Sequence, residues 1–252
     1  MSSDAIRKRI NTLSDHGVLV TDYTLGIDSD NRPQIEFDHT SYPGIEAHLF
    51  TIADVSSWEP ELLSSANVLL SSLSNDSDKF KTWMKLLTTL EDVMKSLEQY
   101  KQGLLHGIIP SSPWVYYEIQ WYRKNWEGPQ HELIPVESIL HLIDESIKPH
   151  IKELNELGFQ TTQSCSGLAK DHLDRDPYLP YVMFDERIYP RSSAHLFTLA
   201  DISGWIPSYG PHNFDIELQL NSADGAERFW DKLVETARLL ASLLQAYRSK
   251  FI

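Results

Sequence analysis

The chain has 252 residues, 41% of them hydrophobic and 23% charged, with a formal net charge of −14 and one cysteine. Such a length buries a real core in one large or two small domains, and a lone cysteine excludes an intrachain disulfide framework and suits a reducing cytoplasm. The net charge repels phosphate backbones at long range and disfavours a nucleic-acid partner. No apolar run approaches the ~18 residues of a membrane-spanning helix, and the opening MSSDAIRKRI lacks the apolar core of a secretory signal; a cytoplasmic protein with no membrane partner is expected.

From the N-terminus, residues 4–100 read as the first of two similar segments. YPGIEAHLFTIADVSSWEP (Tyr42–Pro60) returns as YPRSSAHLFTLADISGWIP (Tyr189–Pro207), and over 35–60 against 182–207 the chain is identical at 14 of 26 positions without a gap. The same offset places Trp83 on Trp230, Lys85 on Lys232 and Tyr100 on Tyr247. Upstream, Ile6, Ile10, Leu13, Gly17, Thr21 and Gly26 fall on Ile147, Ile151, Leu154, Gly158, Thr162 and Gly167 at an offset six residues shorter, so the second copy carries a six-residue insertion between Leu168 and Val182. The pattern is a tandem duplication. The first copy is expected to close with a long helix over about 78–100.

Residues 101–144 connect the copies. Within them, PSSPWVYYEIQWYRKNW (110–126) holds Trp114, Tyr116, Tyr117, Trp121, Tyr122 and Trp126. This segment reads either as a cover over the seam between the copies or as a stacking platform for a flat ligand.

The second copy spans 145–252. Ile147, Ile151 and Leu154 mark one buried helical face over 146–157, with Pro149 in the first turn and Gly158 ending the helix. Residues 159–163 read as a short strand leading into the Cys165–Ser166–Gly167 turn, and 181–185 as a second strand. Residues 195–202 fit either a strand buried on both faces or a short helix. Residues 214–220 alternate as a strand. Ser222 or Asp224 is a cap candidate for a long helix over 225–247. The expected architecture is α/β: a tandem duplication of an α-β-β-(β)-β-α unit with pseudo-twofold symmetry.

Comparing the copies sorts the residues. His48 and His195, Asp54 and Asp201, Trp58 and Trp205, and Trp83 and Trp230 recur in both, and read as core groups serving the shared fold. GFQTTQSCSGL (158–168) stands where the first copy has GVLVTDYTLGI: Ser164 replaces Tyr23, Cys165 replaces Thr24 and Ser166 replaces Leu25. Tyr23 is expected to fill space that Ser164 leaves open. The insertion follows at once and brings Asp171, His172, Asp174, Arg175 and Asp176. Inserted loops on a scaffold commonly carry function.

Four chemistries fit this place. Cys165 could act as a thiol nucleophile with His172 as base, although no orienting Asp or Asn stands out. Cys165, His172 and nearby carboxylates could hold a metal, but closely spaced ligand pairs of the CxxC or HxxxH kind are absent, so no metal is expected. Ser164, Ser166 and the amides around Gly167 could donate to a carboxylate, a phosphate or a base edge. A polar turn with an inert buried cysteine is the fourth. The ligand-binding set is Thr162, Ser164, Cys165, Ser166, Gly167 and His172.

ELNELGFQTTQSCSGL (153–168), a helix ending in glycine followed by TTxSCSG, resembles the signature of the wybutosine-synthesis protein 3 family. The resemblance implies an S-adenosylmethionine-dependent methyltransferase acting on a modified guanine of phenylalanine tRNA, with an internally duplicated α/β fold and Ser164, Cys165, Ser166 and Gly167 lining the site. Where that pattern has an arginine after the glycine, this chain has Leu168. The functional expectation is therefore a small-ligand or nucleotide-binding protein, related to a methyltransferase, with its site in the second copy. The alternative is a non-catalytic binding or assembly protein using the duplicated scaffold and the aromatic connection.

Overall fold

A computed structural model of the chain describes residues 3–27, 31–38, 40, 44–63, 67–73, 78–105, 135–172, 179–210 and 215–251. The chain divides into two compact units, Met1–Gln120 and Trp121–Ile252. The aromatic stretch 110–126 and the insertion residues Asp174, Arg175 and Asp176 lie outside the described residues.

Unit 1 runs α1 (Ser3–Asn11), β1 (Leu19–Thr24), β2 (Gln34–Asp38), α2 (Ile45–Ser56), β3 (Trp58–Leu62), β4 (Asn67–Ser72), α3 (Lys79–Ser96) and α4 (Glu98–Leu105). Its four strands are antiparallel in the order β1-β2-β4-β3. Strand alternation turns Ile35, Phe37, Val68 and Leu70 into the core and leaves Glu36 and Leu69 on the opposite face. The Asp78 carboxylate caps α3 by accepting from the Lys81 amide at 3.0 Å. Helix α2 packs on α3 and β3.

Unit 2 runs α5 (Val136–Ile139), α6 (Lys148–Glu156), β5 (Thr161–Cys165), β6 (Tyr181–Asp185), α7 (Ser192–Ser203), β7 (Ile206–Tyr209), β8 (Asp215–Gln219) and α8 (Ala226–Arg248). Its sheet is antiparallel in the order β5-β6-β8-β7.

The two units share more than strand order. Each has a register shift in its first strand, between Val20 and Asp22 in β1 and between Thr161 and Gln163 in β5. Tyr23 pairs with Ile35 where Ser164 pairs with Val182, and Thr24 pairs with Gln34 where Cys165 pairs with Tyr181. Trp58 meets Trp83 edge-on at 5.1 Å, and Trp205 meets Trp230 at 4.9 Å. The Trp83 indole donates to the Leu25 carbonyl at 2.9 Å, and the Trp230 indole to the Ser166 carbonyl at 3.5 Å.

Several expected elements change. Of the two readings of 195–202 the structure takes the helix, α7, so each unit has a helix in mid-sequence. The strand missing from the expected pattern is β7, with β3 in the same place in unit 1. Helix α7 is buried along nearly its whole length, as is α2. A helix buried all round has no polar stripe, so its sequence lacks the 3.6-residue signal. Strand β5 starts at Thr161 rather than 159. The Gly158 amide donates to Asn155 O and the Phe159 amide to Leu154 O, a Schellman closure that uses both residues to end α6. The expected helix over 78–100 breaks at Leu97 into α3 and α4. Helix α8 begins after Gly225, with no side-chain cap; the Ser222 hydroxyl instead accepts from the Asp224 amide in the preceding turn. Among the described residues, no helix is long and apolar enough to cross a membrane.

Candidate functional site

The end of β5 carries Cys165 to the rim of the unit 2 sheet, and Gly167, at φ +68°, turns the chain away from it. Leu168 leads into a short 3-10 turn, Ala169–Asp171, and His172 follows it. The turn brings the ring of His172 back over Cys165, with Nε2 3.3 Å from Sγ. A third group comes from much earlier in the chain. Asp144, just before the 3-10 turn Glu145–Ile147, places Oδ2 3.4 Å from the same His172 Nε2. Cys165 and His172 are buried and Asp144 is partly buried.

Polar groups fix these three from behind. The Ser166 amide donates to Asp144 Oδ2 at 2.7 Å. The Ser166 hydroxyl donates to Asp171 Oδ2 at 2.7 Å and accepts from the Leu168 amide at 3.1 Å. The Ser146 hydroxyl donates to the same Asp171 oxygen. Burial pushes the Asp171 carboxyl upward, but the hydrogen bonds from Ser146 and Ser166 outweigh it and hold the group below the usual carboxylate range. Asp171 is thus an anionic clasp that closes the turn.

A groove of 260 Å³ runs along β5, with Thr162, Gln163 and Ser164 on one side and Ile139, Leu142, Ile143 and Tyr181 contributing apolar wall. Ile143 and Ser164 are the chain neighbours of Asp144 and Cys165, so groove and cluster share their two backbone supports. The Thr162 hydroxyl also donates to Asp215 Oδ1 at 3.2 Å.

The six expected site residues therefore divide. Thr162 and Ser164 line the groove. Cys165 and His172 meet in the buried cluster. Ser166 spends its hydroxyl on the turn, and its side chain is fully buried. Gly167 supplies the turn itself. Lys170, two residues beyond Leu168, donates to Glu227 at 2.7 Å. Asp144 and Ser146 escaped sequence reasoning, because they lie outside both the turn and the insertion.

Unit 1 corrects one expectation. Tyr23 does not fill the space beside β1, where a groove of 390 Å³ has Tyr23 in its lining. What distinguishes unit 2 is the cluster: Thr24 holds the position of Cys165, and the insertion that supplies His172 has no counterpart. The paired histidines play another part. His48 meets Tyr100 edge-on at 6.0 Å. His195 meets Tyr247 edge-on at 5.5 Å, with Nδ1 3.4 Å from the Tyr189 hydroxyl. Both are fully buried aromatic-core residues.

In a nucleophile–histidine–carboxylate relay, the nucleophile and the carboxylate use opposite ring nitrogens. Here Cys165 and Asp144 face the same one. The arrangement converges three donor atoms on a point instead of passing a proton along a line. Comparison of the chain with family profiles, with curated proteins and with solved structures finds no match.

Proposed function

We propose that the chain is a small-ligand or nucleotide-binding protein whose site lies in the second unit, at the groove along β5 and the turn beyond it. The observation that carries this reading is the meeting of Cys165, His172 and Asp144 beside that groove, a cluster with no counterpart among the described residues of unit 1. The groove is of a size for part of a nucleoside or a similar small molecule, near the lower end of ordinary ligand sites, ~300 Å³. Tyr181 offers a face for stacking, and Thr162, Gln163 and Ser164 offer hydrogen bonds. The common strand order, the matching register shifts and the paired tryptophans support reading the two units as copies of one ancestral unit, the second of which acquired the site.

The TTxSCSG resemblance makes S-adenosylmethionine the first ligand to test and methyl transfer the first reaction. The net charge of −14 weighs against a tRNA substrate and favours a small one. Titration calorimetry with S-adenosylmethionine and with S-adenosylhomocysteine tests the reading. Binding that is weakened by Tyr181→Ala, which removes the aromatic wall of the groove, supports it. No heat at millimolar ligand overturns the methyltransferase version.

A further inference from the structure

We propose that Asp144, Cys165 and His172 form a binding site for a divalent first-row transition ion of the zinc class. This assignment is independent of what the β5 groove binds.

The donor types come first. A thiolate, an imidazole and a carboxylate together are the mixed S, N and O set that zinc accepts, whereas calcium and magnesium favour oxygen alone. The distances follow. With Zn–S ≈ 2.3 Å, Zn–N ≈ 2.0–2.1 Å and Zn–O ≈ 2.0–2.2 Å, a tetrahedral ion sets its S···N pair about 3.5 Å apart and its N···O pair about 3.4 Å apart. The observed separations are 3.3 Å for Cys165 Sγ to His172 Nε2 and 3.4 Å for His172 Nε2 to Asp144 Oδ2, and one ligand atom from each of the three residues lies within 4.8 Å of the others.

The third point is direction. One imidazole nitrogen carries one proton or one lone pair. It is poorly shared between Sγ at 3.3 Å and Oδ2 at 3.4 Å, which both face Nε2. A cation among the three would be shared by all of them and would remove that competition. The surroundings fit as well. Ligating carboxylates are themselves usually hydrogen-bonded, and Asp144 receives the Ser166 amide at 2.7 Å. Asp171, held by Ser146 and Ser166, locks the turn that spaces Cys165 from His172. Three protein donors leave one tetrahedral position for water or for a donor atom of a bound molecule, the pattern of open zinc sites. On binding, the Cys165 thiol gives up its proton to solvent and ligates as thiolate.

The test uses the full chain, treated with a chelator and dialysed. Zinc is titrated in by calorimetry, and cobalt(II) is titrated in parallel by absorption spectroscopy. The expected result is one zinc per chain, a rise in melting temperature with zinc, and a cobalt spectrum showing tetrahedral bands with thiolate-to-metal charge transfer. Cys165→Ser and His172→Asn should each weaken zinc about 100-fold or more, Cys165→Ser should remove the charge-transfer band, and His150→Asn, a histidine elsewhere in unit 2, should change neither. The absence of a binding isotherm overturns the proposal, as does zinc affinity unaltered in both Cys165→Ser and His172→Asn. Should the variants fail to fold, the wild-type cobalt spectrum decides alone: octahedral bands without charge transfer overturn the assignment.

Discussion

A Cβ added at Gly167 would lie 2.4 Å from Cγ of Pro180 and 2.7 Å from its backbone nitrogen, so the turn after Cys165 closes directly against the start of β6. Gly167 also holds φ at +68°, where a side chain is strained in any case. Gly167→Ala should therefore destabilise unit 2 by about 2–3 kcal/mol and move Cys165 away from His172. Urea unfolding followed by tryptophan fluorescence measures the first effect, and loss of zinc binding the second. A variant of wild-type stability would mean that Pro180 yields freely.

The paired tryptophans should differ in worth. Both Trp83 and Trp230 are fully buried, so replacement by phenylalanine removes similar volume. The bond they lose differs: 2.9 Å to Leu25 O against 3.5 Å to Ser166 O. Orphaning a buried carbonyl costs roughly 1–3 kcal/mol, and less where the bond was already long. Trp83→Phe should cost about 1 kcal/mol more than Trp230→Phe, read from the guanidinium midpoints. The reverse order would show that packing, not the indole N–H, sets the difference.

Much of this was legible in the sequence. The offset match within the sequence pairs the tryptophans, the glycines and the strand positions, and the observed registers of Tyr23 and Ser164 agree with those pairings. Strand β8 showed itself by alternation, residues 181–185 read as the strand β6 occupies, and residues 78–100 read as helical. Helix α7 stood only as one of two readings of 195–202, since buried polar groups such as His195 and Asp201 erase the contrast between faces, and His48 and Asp54 do the same in α2. Asp144 was hidden for a different reason. Its carboxylate reaches the cluster only because the chain folds back before α6, a long-range proximity with no local sequence signal. The turn, by contrast, was marked by composition alone: a lone cysteine, two serines and a glycine next to an insertion.

Glu217 gives a prediction in pH. It faces Met183 on one neighbouring strand and Ser208 on the other, and burial raises its carboxyl above the ordinary 4.5. The folded state then binds the proton more tightly than the unfolded state. The contribution to stability is fully present below pH 4.5 and is lost as pH rises through the raised folded value. Glu217→Gln should accordingly raise the melting temperature near pH 7, with the gain shrinking to nothing near pH 3.5. A gain that persists at low pH would point to packing and not to charge.

Ser57 and Gly204 end the equivalent helices α2 and α7, both in the left-handed region, at φ 67° and 83°. In each case the cap amide donates back into the last turn, to Ala53 O and Ala200 O. The backbone thus demands the same shape twice, and only unit 2 meets it with the residue that adopts it without strain. Ser57→Gly removes a cost of about 1 kcal/mol, offset by the extra freedom glycine gives the unfolded chain, ~0.4–1 kcal/mol, and by loss of the exposed Lys85 bond to the Ser57 hydroxyl at 3.3 Å. The net change should lie within about 0.5 kcal/mol of zero. Gly204→Ser takes on the left-handed strain and sets a Cβ 3.2 Å from Cε1 of Phe229, which together outweigh the ~0.4–1 kcal/mol it gains from a less free unfolded chain. It should cost about 1–2 kcal/mol. Paired urea titrations of the two variants separate the cases, and equal, opposite shifts would show that the serine in unit 1 is strained to the full extent of its φ.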